Sequence, residues 1–100
     1  MPIEWSRRAS EDLRSLRLFG NRRDANSGTR MARKITSSVA KLFALSEDSE
    51  EKEVGRIGRV TGTRELVIAD TPFIVPYRVQ HRQVEILRVY HHSLPWPDQF

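Results

Sequence analysis

Gly55, Gly58 and Gly62 punctuate a segment that holds Arg56 and Arg59, and phosphate binding is the chemistry such a segment invites. The spacing fits neither phosphate-loop fingerprint, because no Lys-Ser/Thr pair follows and no helix is predicted to begin there. Arg64, Arg78 and Arg88 lie further on, with Tyr77, Tyr90 and His91 close by in the chain. Excess arginine on a small domain suggests a polyanionic partner such as nucleic acid, with ordinary solubilising charge as the alternative. The chain has no cysteine, which excludes disulfides, thiolate metal sites and cysteine nucleophiles. No His/Asp/Glu cluster has metal-ligand spacing, and no cofactor is expected.

The charge is unevenly distributed. Seventeen Lys and Arg against thirteen Asp and Glu give a net +4 over 100 residues. Residues 1–46 carry ten basic and four acidic side chains, and residues 54–100 carry six arginines and four acids. Between them, residues 47–53 hold five acids and one lysine. This acidic stretch contains no apolar residue and reads as a solvated loop or a frayed helix end. At 38% apolar residues the chain is expected to form one domain, 1–100, with a two-layer core. No apolar run approaches the roughly 20 residues of a membrane span. Nor does the N-terminus have the apolar core of a signal peptide, so a cytoplasmic protein is expected.

Several elements must position these residues. Ile3 and Trp5 alternate with Pro2 and Glu4 as in a short strand, and Ser6 stands where an N-cap would. Ala9, Leu13, Leu16 and Phe19 recur at helical spacing, predicting a helix over about 7–19 that Gly20 ends. Asn21–Gly28 reads as a loop, and a second helix follows with Met31, Ile35, Val39, Leu42 and Leu45 on one face. The short connection makes the pair an antiparallel helical hairpin. From Thr63 the period becomes two, predicting strands over 64–69, 73–80 and 84–90 with antiparallel pairing. Pro76 inside the middle run argues for a bulge or an unpaired position there. The fold class is therefore α+β: an N-terminal strand and a helical hairpin packed on a small antiparallel sheet.

Gly55-Arg56-x-Gly58-Arg59-Val60-x-Gly62-Thr63-Arg64-Glu65-Leu66-Val67 resembles the RelE/ParE superfamily of bacterial type II toxin–antitoxin toxins. The resemblance continues through Pro72-Phe73-Ile74-Val75-x-Tyr77-Arg78-Val79, Val84-Glu85-Ile86-Leu87-Arg88-Val89-x-His91 and Trp96-Pro97. Trp5-x-x-x-Ala9-x-x-Asp12-Leu13 is similar to the family's first helix, so nearly the whole chain is covered. The acidic stretch 47–53 departs from the family, which has a short proline-containing link there. So does His92-Ser93-Leu94-Pro95, where the family often carries basic residues.

The resemblance implies a growth-inhibiting toxin, and the superfamily offers two activities on one fold. RelE-like members cut messenger RNA on the ribosome, which turns the RNA 2′-hydroxyl into a nucleophile. That reaction needs a base, cations for the crowded phosphate and an acid for the leaving oxygen. It would use Arg64, Arg78 and Arg88 as phosphate clamps and Glu65 or His91 as proton-transfer groups. Tyr77 and Tyr90 would stack on bases, with Arg56 and Arg59 adding RNA contacts. ParE-like members poison DNA gyrase and need only a protein-binding surface, so the same arginines would then be structural or interfacial. RNA cleavage is the preferred expectation, with gyrase inhibition or a degenerate, inactive member as alternatives.

The register of the last hairpin decides how many arginines share a face. A two- or four-residue loop around His81-Arg82 pairs Val79 with Val84, puts Arg78 opposite Glu85, and leaves Arg88 on the other face. A three-residue loop, or a bulge at Pro76, gathers Arg78, Arg88 and Tyr90 on one face. The expected partner is a cognate antitoxin, lying across the apolar face of the helical hairpin or along a sheet edge. The acidic 47–53 stretch would be a contact for a basic antitoxin segment. The ribosome with its mRNA, or alternatively gyrase, is the expected target, and a homodimer is left open.

Overall fold

The computed structural model describes residues 2–46 and 55–100, and the acidic stretch 47–53 with its expected antitoxin contact lies outside them. Strand β1 (Ile3–Trp5) leads into helices α1 (Arg7–Arg23) and α2 (Ser27–Ser46). Strands β2 (Arg56–Ile57), β3 (Arg64–Val67), β4 (Phe73–Gln80), β5 (Gln83–Ile86) and β6 (Tyr90–His91) follow. The sheet order is β1-β5-β4-β3-β2, with β6 also pairing to β4. All pairings are antiparallel except β1 with β5, so the sheet is mixed rather than antiparallel throughout. Among the described residues no helix is long and apolar enough to cross a membrane.

Ser6 caps α1 as expected, its Oγ accepting from the Ala9 N–H at 3.0 Å. The helix does not stop at Gly20. It runs to Arg23, and only residues 24–26 separate it from α2. Gly20 and Gly28 serve a close approach instead of a helix end. A Cβ on Gly20 would lie 2.6 Å from Gly28 Cα, and one on Gly28 would lie 2.2 Å from the Arg17 carbonyl oxygen. Asn21 latches the tip across the hairpin: its Nδ2 donates to Thr29 Oγ1 at 2.9 Å and its Oδ1 accepts from Thr29 N–H at 3.1 Å. The residues read as loop-formers thus act as helix-pairing groups.

The core lies between the hairpin and one sheet face. It joins Ala9 and Leu13 to Ala32, Ile35, Val39 and Phe43, and these to Leu66, Val75, Tyr77, Val84 and Ile86. Burying one large apolar side chain there stabilises the fold by roughly 1.5–3 kcal/mol. Phe19, expected in that stripe, is 65% exposed, while Phe43 occupies the core position that the α2 reading omitted. The side chain of Leu45 lies outside the described set.

Pro76 shapes the far side of the sheet. β4 is unbroken, but its partner strand slips: Tyr77 pairs with Ile86, whereas Ile74 pairs with Tyr90. Three residues, 87–89, thus face the two between Ile74 and Tyr77, which is a one-residue bulge. Pro76 has no N–H to give the ladder, while its carbonyl accepts from Leu87 N–H at 2.9 Å. The hairpin turn itself holds two residues, His81 and Arg82, at φ 52° and 58°. This primed geometry pairs Val79 with Val84 and Arg78 with Glu85, the first of the two registers weighed on sequence.

Candidate functional site

The glycine–arginine segment forms a turn, not a phosphate cradle. Gly58 N–H donates to the Thr63 carbonyl at 2.9 Å, and Gly62 turns the chain at φ +82°. This brings Arg56 opposite Glu65 in the β2–β3 pair. Glu65 is 2% exposed. One of its oxygens accepts from Arg56 Nε and Nη2 at 3.2 and 3.0 Å, and the other accepts from Arg59 N–H at 2.8 Å. Arg59 Nε stands 3.7 Å away. A buried carboxylate requires such partners, and here they fix β2 and the following loop. Glu65, a candidate proton-transfer group on sequence, is thereby occupied in holding the Gly55–Arg59 segment.

Tyr77 is equally committed. It is 1% exposed, its hydroxyl accepts from Gly55 N–H at 2.8 Å, and its ring meets Phe43 edge-on at 5.0 Å. No face of that ring is open to a stacking base. Arg64 lies opposite Tyr77 and donates from Nε and Nη2 to the Gly55 carbonyl, the former at 3.0 Å. Arg78 meets Glu85 at 2.7 Å across the hairpin, both side chains being partly exposed. Arg88 reaches α1: Nε and Nη2 bind the two Asp12 oxygens at 2.8 and 3.0 Å, while Val89 N–H also donates to Asp12. That hydrogen bond is the largest cause of a guanidinium pKa raised above its ordinary value, against the opposing effect of burial.

The bulge gives Tyr90 the same face as Ile74, away from the helices. There it joins an aromatic group with Trp96 at 5.1 Å and Phe100 at 5.9 Å. Two arginines cover this group, Arg59 over Trp96 at 4.3 Å and Arg88 over Tyr90 at 4.6 Å. Trp96 Nε1 is buried there and meets no acceptor among the described residues. His91 stands beside it on other contacts, edge-on to Phe73 at 5.6 Å and stacked on His92 at 4.9 Å. Its Nδ1 accepts from Ser93 N–H at 3.2 Å, so the neutral ring carries its proton on Nε2.

The structure thus divides the nine sequence candidates into groups, two of which meet at Trp96 through Arg59 and Tyr90. Arg56, Arg59 and Glu65 form one cluster, Arg64 and Tyr77 a second around Gly55, and Arg78 stands apart with Glu85. Arg88 and Tyr90 adjoin on the outer face, next to His91 in the chain. Asp12, which organises that last group, was read on sequence as part of the first helix alone. Arg88 is 76 positions away, and no local pattern links the two. Among the described residues no group of three His, Asp or Glu side chains is placed to hold a metal ion.

A helical hairpin on a short mixed sheet with this arginine-bearing β2–β3 connection is the fold of RelE/ParE toxins. The family described as "ParE toxin of type II toxin-antitoxin system, parDE" matches residues 3–96, and the chain belongs to it. It is 38% identical over 95 residues to the candidate toxin Y4kP of Sinorhizobium fredii, covering 95% of this chain and 92% of that one. Among solved structures, the chromosomal ParDE system from P. aeruginosa superposes at a TM-score of 0.77 with 25% identity, over 91% of this chain and 95% of that chain. YafQ from E. coli follows the fold at 0.54 with 14% identity, over 91% and 92% of the two chains. A YoeB/ParE toxin from Agrobacterium tumefaciens does so at 0.52 with 20% identity, over 93% and 100%. The protein is a toxin of a type II toxin–antitoxin system.

Proposed function

We propose that this toxin acts in the cytoplasm by binding DNA gyrase, in the ParE manner, rather than by cutting RNA. The observation that carries this reading is the internal pairing of every strand arginine named as a phosphate clamp. Arg64 holds the Gly55 carbonyl, Arg78 holds Glu85 and Arg88 holds Asp12. Glu65, the carboxylate that would serve as base, is buried and engaged by Arg56 and Arg59. A binding toxin needs none of these groups free. The higher similarity to a ParDE protein than to YafQ points the same way.

RNA cleavage keeps one observation in its favour. His91 meets no carboxylate among the described residues, only Phe73, His92 and Ser93, which leaves its imidazole available for proton transfer. The two readings separate when the chain is expressed without antitoxin. Gyrase inhibition predicts DNA damage with intact messages and loss of supercoiling activity in a purified gyrase assay, both retained in His91→Ala. Codon-positioned transcript ends that disappear in His91→Ala would overturn it, and so would the absence of any growth defect.

The partner of this toxin is a cognate antitoxin, and the similar DinJ–YafQ structure is a toxin–antitoxin complex. The apolar face of the hairpin is already covered by the sheet, which leaves the sheet edge for an added strand. Ile57 on β2 is 80% exposed, and Val67 of β3 extends beyond the two residues that β2 pairs. Ile57→Asp is expected to weaken antitoxin binding at least tenfold by calorimetry. An unchanged affinity would move the antitoxin elsewhere.

A further inference from the structure

The hairpin carries ten basic side chains, eight of them arginine, against only Glu11, Asp12 and Asp24. Two meet a carboxylate: Arg7 bonds Glu11 at 3.2 Å, and Arg30 lies 3.9 Å from Asp24. Asp12 is taken by Arg88. Arg8, Arg14, Arg17, Arg22, Arg23, Arg33, Lys34 and Lys41 have no ion-pair partner among the described residues. Arg17 and Arg33 converge from the two helices on one shallow groove, whose other walls are Thr29, Ala32 and Thr36.

We propose that the outward face of this hairpin, centred on the Arg17–Arg33 groove, docks on the phosphate backbone of duplex DNA without sequence preference. This goes beyond the gyrase reading and stands on the charge distribution alone. Arginine forks match phosphate oxygens in pairs, and releasing counterions from the duplex drives such contacts. On α1, the unpartnered Arg14 and Arg22 share the solvent stripe about 12 Å apart, enough to meet more than one phosphate. The groove lacks the large apolar side chain that a peptide would need as an anchor, and the aromatic platform that single-stranded RNA would use. The Gly20–Gly28 contact and the Asn21–Thr29 bonds hold the two cation rows in fixed relation.

Fluorescence anisotropy of the full chain with a short mixed-sequence DNA duplex, over a salt series, tests this. The wild type should bind with an affinity that falls steeply as salt rises. Arg17→Gln with Arg33→Gln should weaken binding about tenfold and lower the salt slope by about 2. Arg14→Gln with Lys41→Gln should act in the same direction, and thermal melting should show both variants folded. Arg82→Gln, in the turn at the end of β4, should change nothing. Equal losses in all three variants, or no binding at low salt, would overturn the proposal. Tighter binding to single-stranded RNA, duplex RNA or a polyglutamate peptide than to DNA would also overturn it.

Discussion

The arginines of the sheet and those of the helices belong to the same chain but live under different electrostatics. Arg56, Arg59, Arg64, Arg78 and Arg88 each meet an internal oxygen, and their partners include the 2%-exposed Glu65. Arg14, Arg17, Arg22 and Arg33 have no ion-pair partner among the described residues, and the helix pairs Arg7–Glu11 and Arg30–Asp24 are exposed. The second set leaves an unneutralised field on one side of the molecule. An arginine count therefore says nothing about function until each guanidinium has been followed to its partner.

Removing the arginines should have very unequal consequences for stability in the two regions. The largest effect is expected from Arg56→Ala with Arg59→Ala, which leaves Glu65 buried with little beyond a backbone N–H. Denaturant titration should show a loss of about 3–5 kcal/mol. Arg17→Ala with Arg33→Ala should stay within about 0.5 kcal/mol per site, and equal losses in the two double variants would erase the contrast. Asp12→Ala strips Arg88 and Val89 N–H together and should cost about 2–3 kcal/mol, seen as a fall in Tm on the order of 10 °C.

A gain is expected at the turn. His81 and Arg82 both occupy the left-handed region, so Asn-Gly in their place should stabilise the hairpin by about 1 kcal/mol. A small loss is expected from Arg78→Ala, because both members of its pair are partly exposed and such pairs contribute less than about 1 kcal/mol. A loss several times larger would place that arginine with the buried set and redraw the division.

The first strand, the two helices, the α+β class and the cap at Ser6 could be read from residue pattern, whereas the short strand Arg56–Ile57 and the break of the expected 84–90 strand into β5 and β6 could not. Gly20 and Gly28 misled for a physical reason. A missing Cβ permits both a left-handed turn and a close helix contact, and local sequence does not distinguish them. Phe19 and Phe43 exchanged roles because each helical stripe has a flank whose burial depends on where the sheet ends. The parallel β1–β5 pairing and the Asp12–Arg88 bond join residues about 80 positions apart, beyond the reach of periodicity. In the candidate site, the arginines and His91 stood out by type, but their partners did not. Pro76 announced a disturbance in the ladder, and only the pairing shows that the opposite strand absorbs it.

The parallel pairing of β1 with β5 also sets the order in which the molecule can come into being. The first strand has no neighbour in the sheet until residues 84–86 exist, and α1 lacks its carboxylate–guanidinium tether until Arg88 does. Emerging from the ribosome, the chain must therefore wait for nearly its whole length before the sheet closes. A poison assembled this way stays unfinished through most of its own synthesis, which lengthens the interval in which an antidote can be waiting.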